Sequence, residues 1–153
     1  MWNIAIVEDE EAMSNQLVSY FAKFGKENNE SFSFAIFNNA ETFLKNYKKE
    51  YSVVLMDINL PGMNGMECVK KLREIDDTVL VVFVTNLSQF AVDGYEVKAF
   101  DFVVKPISYY NFSLKLKRAL SHLSSLNNYE LVISTKDKKY FISINQLVYI
   151  EIR

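Results

Sequence analysis

Val53-Val54-Leu55-Met56-Asp57-Ile58-Asn59-Leu60-Pro61-Gly62 is the stretch on which the fold turns. Four apolar residues run into one aspartate, and a Pro-Gly pair follows that must turn. An apolar run bounded by a turn signal reads as a strand buried on both faces of a parallel sheet. Open α/β sheets bind ligands in the crevice beyond the carboxyl ends of their strands. Asp57 falls at that end, which makes it a candidate functional acid.

Working outward, Trp2–Val7 is a short apolar strand that ends in Glu8-Asp9-Glu10-Glu11. Met13, Leu17, Tyr20, Phe21 and Phe24 then follow at helical spacing, with Gly25 as the expected stop. Phe32–Phe37 reads as a strand, and Asn38-Asn39 as the cap of a short helix carrying Phe43, Leu44 and Tyr47. Met63, Met66, Val69 and Leu72 mark a helix from about Asn64 to Ile75. Thr78–Val84 is the most apolar strand and leads into Thr85-Asn86. Ser88 to Tyr95 suits a short helix, and Phe100–Val104 a fifth strand ending in Lys105-Pro106. Phe112, Leu116, Ala119, Leu120 and Leu123 define a last amphipathic helix. Five strands alternating with five helices predict an α/β fold with a doubly wound parallel sheet.

The remaining 30 residues change character. Residues 124–128 read as a linker, and 129–153 as β only, with Leu131–Ile133, Tyr140–Ile144 and Leu147–Ile150 as strands. So few strands are not independently stable, which suggests the opening of a second domain.

The 153 residues suit one domain with an appendage. Half are apolar, and 12 Phe with 9 Tyr can fill a sizeable core. A net charge of −2 argues against nucleic-acid binding by this chain alone. Cys68 is the single cysteine, which excludes an internal disulfide and a multi-cysteine zinc site. Its expected place is the core or its boundary. No signal peptide or membrane-spanning apolar run is evident, so the cytoplasm is the expected compartment and no membrane contact is expected. His122, the only histidine, sits beside Leu123 on the last helix and reads as a surface residue.

The strand ends carry the chemistry. In a right-handed parallel sheet Glu8, Asp9, Asp57, Thr85 and Lys105 open on one edge. Each alone has an ordinary reading as a cap, a turn or a solvated charge. Together they are three carboxylates, a hydroxyl and an ammonium. Clustered carboxylates repel, and a hard divalent cation offsets that cost. Mg²⁺ takes oxygen ligands and keeps several waters. Asp9 and Asp57 could ligate it directly, Glu8 through water, and the Asn59 backbone carbonyl could complete the protein share. A carboxylate beside Mg²⁺ can attack a phosphoryl group and form an aspartyl phosphate. Lys105 and the Thr85 hydroxyl would then meet phosphoryl oxygens.

With these motifs in place, roughly Met1 to Leu123 resembles the receiver domain of two-component response regulators. The matching residues are Val7-Glu8-Asp9-Glu10, the apolar strand into Asp57 with Pro61-Gly62 and Gly65 after it, Thr85, and Lys105-Pro106. The resemblance implies a flavodoxin-like sheet of order 2-1-3-4-5. It implies that Asp57 accepts a phosphoryl group from a sensor histidine kinase, with Mg²⁺ held by Glu8, Asp9, Asp57 and the Asn59 carbonyl. It also implies a switch in which Thr85 moves toward the phosphoryl group and Phe102 turns inward. Asn86 stands where a small residue is usual, and Pro106 is expected to follow a cis bond. The tail after Asn127 is similar to the start of a LytTR-type DNA-binding domain, the output of LytR- and AgrA-like regulators, cut early. DNA would be contacted only by the full-length protein, which would regulate transcription. A homodimer through Ser88–Tyr95, the fifth strand and the last helix is a further expectation.

Two rivals stand beside this reading. An aspartate-nucleophile phosphatase would place its nucleophile on the first strand with a second Asp two residues on, whereas here position 59 is Asn. A protein-interaction module would need no phosphate at all. A flavin site is disfavoured, because four acids at 8–11 would repel a phosphate.

Overall fold

A computed structural model describes the backbone over residues 1–86 and 96–136, with side chains to residue 126. The sheet is β1 (Trp2–Val7), β2 (Phe32–Phe37), β3 (Val53–Met56), β4 (Leu80–Thr85) and β5 (Asp101–Val104). All neighbours are parallel, in the order β2-β1-β3-β4-β5. The helices are α1 (Glu11–Asn28), α2 (Ala40–Lys45), α3 (Gly65–Ile75) and α4 (Tyr109–Lys136). None of the helices among the described residues is long and apolar enough to cross a membrane. The expected helix at Ser88–Tyr95 and the expected strands Tyr140–Ile144 and Leu147–Ile150 lie outside the described residues. Met1–Lys115 is one compact unit, and it contains the whole of the site.

Alternation along the strands sorts the core into two layers. Ala5, Val7, Val54, Met56, Val81 and Phe83 join Phe43, Val69 and Leu72 on one face. The residues between them, among them Ile4, Ile6, Leu55 and Val82, are buried too. Burial on both faces explains why β3 and β4 are continuous apolar runs. On α1, Phe21 is fully buried, with its ring against Phe32, Phe34 and Phe112 at centroid distances of 5.0, 5.3 and 4.9 Å.

Two expectations are corrected. Gly25 does not stop α1, which runs to Asn28 and ends on Asn29 in the left-handed region (φ 58°). The glycine serves the return of the chain instead. Glu30 N–H donates to its carbonyl at 3.0 Å, and a Cβ on Gly25 would lie 2.5 Å from the Glu30 carbonyl oxygen. The backbone at 124–128 and 131–133 is helical, part of α4, where a linker and a strand were expected. No Pro or Gly occurs between Tyr109 and Lys136. Ser and Asn cost only about 0.5 kcal/mol each relative to the best helix formers, too little to end a helix already running.

A polar network closes the amino-terminal end of the sheet. Tyr47, expected on α2, lies just beyond it and donates to Asp76 Oδ2 at 2.7 Å. Asp76 Oδ1 accepts from the N–H groups of Thr78 and Val79 at 3.0 and 3.2 Å. Arg73 donates to the carbonyls of Val79, Val97 and Lys98 at 2.7–2.9 Å, tying α3 to the chain that enters β5.

Burial would raise the Asp76 carboxyl, but the donors from Tyr47, Thr78 and Val79 outweigh it and hold it below its ordinary range. A depressed acid adds stability above its unfolded pKa, and that stability is lost as pH falls through the folded value. Tyr47→Phe is expected to cost about 1 kcal/mol at neutral pH. The deficit should shrink only in acid below the ordinary aspartate range, as pH falls through the depressed folded value of Asp76. Urea unfolding of both proteins at neutral and acid pH tests this, and a deficit independent of pH would exclude Asp76 as the partner that matters.

Candidate functional site

Register brings the acids together. Val7 pairs with Met56, and Met56 with Phe83, so β1 and β3 end level with each other inside the sheet. Asp57 N–H donates to the Val7 carbonyl and Glu8 N–H to the Phe37 carbonyl, at 3.0 and 2.9 Å. On β5, Lys105 N–H donates to the Thr85 carbonyl at 2.9 Å. Glu8, Asp57 and Lys105 therefore each leave the sheet on its last backbone hydrogen bonds.

Glu8 and Asp57 are buried, while Asp9 is exposed at the rim. Carboxylate oxygens of the three lie within 4.8 Å of one another. Lys105 Nζ stands 3.1 Å from Glu8 Oε1 and 3.2 Å from Asp57 Oδ2. Asp57 Oδ1 accepts from Asn59 N–H at 3.2 Å, and Glu8 Oε2 from Glu10 N–H at 3.2 Å. Glu8 Oε1 is different: it is buried at ion-pair distance from the ammonium, yet no donor is directed at it. Burial, and then the charge of Asp57, push the Glu8 carboxyl up to about 7, against the pull of Lys105. Burial would lower the Lys105 ammonium, but its contacts with Glu8 and Asp57 raise it instead.

This donor set fits a hard divalent cation. Three carboxylates share one small volume, and one buried oxygen still lacks a directed donor. Asn59 is exposed beside the acids, and its N–H is committed to Asp57 Oδ1. A cleft of about 530 Å³ opens beside the acids, lined by Glu8, Asp9, Asn15, Asn38 and Thr42.

The loop after Asp57 is built for close approach. Asn64 caps α3 by accepting from Glu67 N–H at 2.8 Å. Gly65 N–H donates to the Ile58 carbonyl at 2.8 Å, and a Cβ on Gly65 would fall 2.0 Å from the Asp57 carbonyl oxygen. Only glycine lets α3 begin there. Gly62 has φ 72°, and Glu41 of α2 accepts from Met63 N–H at 3.0 Å. The sequence carried no signal for Glu41, because this contact joins two elements 22 residues apart.

The other expected residues fall nearby. Thr85 is fully buried at the end of β4, and Asn86 is exposed. Phe102 is half-buried, with its ring 5.3 Å from that of Phe83. The Lys105–Pro106 bond is cis. Cys68 is buried in the core, where burial pushes its thiol up to about 12, and His122 is exposed.

The parallel 2-1-3-4-5 sheet thus gathers Glu8, Asp9 and Asp57 beside Lys105 at one edge. The response regulator receiver domain family matches residues 4–117, and the chain belongs to that family, the receivers of two-component systems. The sensory transduction protein LytT of Oceanobacillus iheyensis is 32% identical over 113 residues, covering 68% of this chain and 46% of that protein. The sensory transduction protein LytR of Streptococcus agalactiae is 27% identical over 135 residues, covering 86% of this chain and 54% of that protein. The chain thus spans about half the length of these curated relatives. Among solved structures, the non-phosphorylated HemR receiver domain of Leptospira biflexa has a TM-score of 0.70. It is 21% identical, with 79% of this chain and 95% of that one covered, a likeness of fold alone. The BeF3-activated DrrB receiver domain is 26% identical, with a TM-score of 0.64 over 79% of this chain and 98% of that one.

Among the described residues, Lys105 is the cation that the structure sets against Glu8 and Asp57. Without metal, Lys105→Ala is expected to cost about 3 kcal/mol, the loss typical of a buried charge deprived of its partner. Added Mg²⁺ should recover most of that loss. Urea unfolding with and without Mg²⁺ checks this, and a loss indifferent to Mg²⁺ would separate Lys105 from the carboxylates that could hold the cation.

Proposed function

We propose that this receiver accepts a phosphoryl group on Asp57 from the phosphohistidine of a sensor kinase. The observation that carries the reading is the buried Asp57 carboxylate, within 4.8 Å of Glu8 and Asp9 and 3.2 Å from Lys105 Nζ. An Asp57 oxygen attacks phosphorus, the P–N bond to the donor imidazole breaks, and its electron pair stays on that nitrogen. Such a transfer asks mainly for positioning and charge neutralisation. Asn59 N–H and Lys105 orient the nucleophile, Lys105 then pairs with a phosphoryl oxygen, and the Thr85 hydroxyl donates to another. Glu8, Asp9, Asp57 and the Asn59 carbonyl would hold Mg²⁺, which supplies positive charge for the remaining phosphoryl oxygens. Phe102 and Thr85 would carry the change outward, Phe102 by turning inward from its half-buried place beside Phe83.

The output follows from the same reading. The curated relatives include transcriptional regulatory proteins named LytR, which supports control of transcription and DNA contact by a longer protein. A cytoplasmic setting goes with that role. A homodimer through β5 and α4 is supported by the exposure of Val104, Tyr110 and Leu114 at 48%, 69% and 45%. Enzymatic turnover of phosphomonoesters is not part of this function.

Incubation with acetyl phosphate and Mg²⁺ should add the mass of one phosphoryl group to the intact protein. Asp57→Ala and removal of Mg²⁺ with a chelator should both abolish the gain. Asn59→Ala should keep it, because that contact is backbone. An unmodified wild-type mass would favour the interaction-module reading, and continuous release of phosphate from phosphomonoesters would favour the phosphatase.

A further inference from the structure

Lys105 must hold its ammonium about 3 Å from two carboxylates, yet it stands where the chain leaves the sheet. Its own N–H makes the last bond of that edge, to the Thr85 carbonyl at 2.9 Å. Two residues later the Tyr20 hydroxyl, reaching across from α1, donates to the Ile107 carbonyl at 2.9 Å, over a sequence separation of 87. Ile107 is buried. The Tyr20 ring is held in turn by Tyr109 and Phe112, each at a centroid distance of 5.5 Å. Gln16 Nε2 donates to the Tyr20 oxygen at 3.3 Å, which leaves the hydroxyl hydrogen for Ile107. The lysine is thus tethered on both sides, by β4 before it and by α1 after it.

We infer that Tyr20 is a positioning residue for phosphoryl transfer, holding the loop at 105–108 so that the Lys105 ammonium stays over the site. This rests on the function proposed for Asp57. Tyr20 touches none of the reacting groups and acts only through the Ile107 carbonyl. The three acids hang from β1 and β3, so loosening this loop leaves the metal-binding carboxylates where they are. Positioning of Lys105 and binding of metal therefore come apart, which a loss of general packing would not produce.

The test is Tyr20→Phe in the full chain, which keeps the ring and removes the hydroxyl that donates to Ile107 and accepts the exposed bond from Gln16. Tyr109→Phe, which loses only the exposed bond to Glu27, serves as the control. The initial rate of phosphoryl incorporation from acetyl phosphate should fall about three- to tenfold in Tyr20→Phe, the worth of one hydrogen bond. Mg²⁺ affinity by calorimetry should not fall, since no metal-binding group depends on this bond and a loosened Lys105 only leaves Glu8 and Asp57 freer for the cation. In the protein without phosphodonor, the side-chain NMR signal of Lys105 should shift and broaden in Tyr20→Phe and not in Tyr109→Phe. An unchanged rate with an unchanged Lys105 signal would overturn the inference, as would parallel losses of rate and Mg²⁺ affinity. A wild type that takes no phosphoryl group overturns the function proposed for Asp57, while the Lys105 signal still decides the role of Tyr20.

Discussion

Two buried carboxylates and a third at their rim, opposed by one ammonium, are the constraint on which this structure depends. Like charges this close can share an edge only where something else holds the chain together. The parallel sheet does so. Burial of β1 and β3 on both faces fixes where Glu8 and Asp57 emerge, and the backbone bonds to Phe37 and Val7 hold them level. Burying a side chain such as Phe21 or Phe43 contributes about 2–3 kcal/mol, so the core can carry an unfavourable cluster at its edge.

The molecule separates its two tasks along the strands. At the carboxyl ends, charge is crowded and Glu8 Oε1 lacks a directed donor, which suits a place where ions and groups arrive. At the amino ends, Tyr47, Asp76 and Arg73 form a network rich in hydrogen bonds that joins α3, β4 and the approach to β5. A site poised for charge is stabilised from outside itself.

The elements were largely legible because burial on both faces writes strands as continuous apolar runs and leaves helices a single stripe. Trp2–Val7, Phe32–Phe37 and Val53–Met56 have the limits that their composition suggests. The misreadings arose where composition carries no such stripe. Gly25 looks like a helix stop but is needed for the close return of Glu30. Residues 124–128 look like a linker, yet their low helix propensity is too weak a signal to end a helix already running.

By itself the sequence determined the fold class, the strand that carries Asp57, and the residue types gathered at the strand ends. Those follow from hydrophobic periodicity and from where acids, a hydroxyl and a lysine interrupt it. Only the tertiary structure decided that Glu8 Oε1 stays without a directed donor beside Lys105, that Gly65 must lack a Cβ to pass Asp57, and that Tyr20 reaches Ile107. The reason is physical: these are contacts between residues far apart in sequence. Their geometry depends on the register of the sheet and the seating of the helices, which no local pattern encodes.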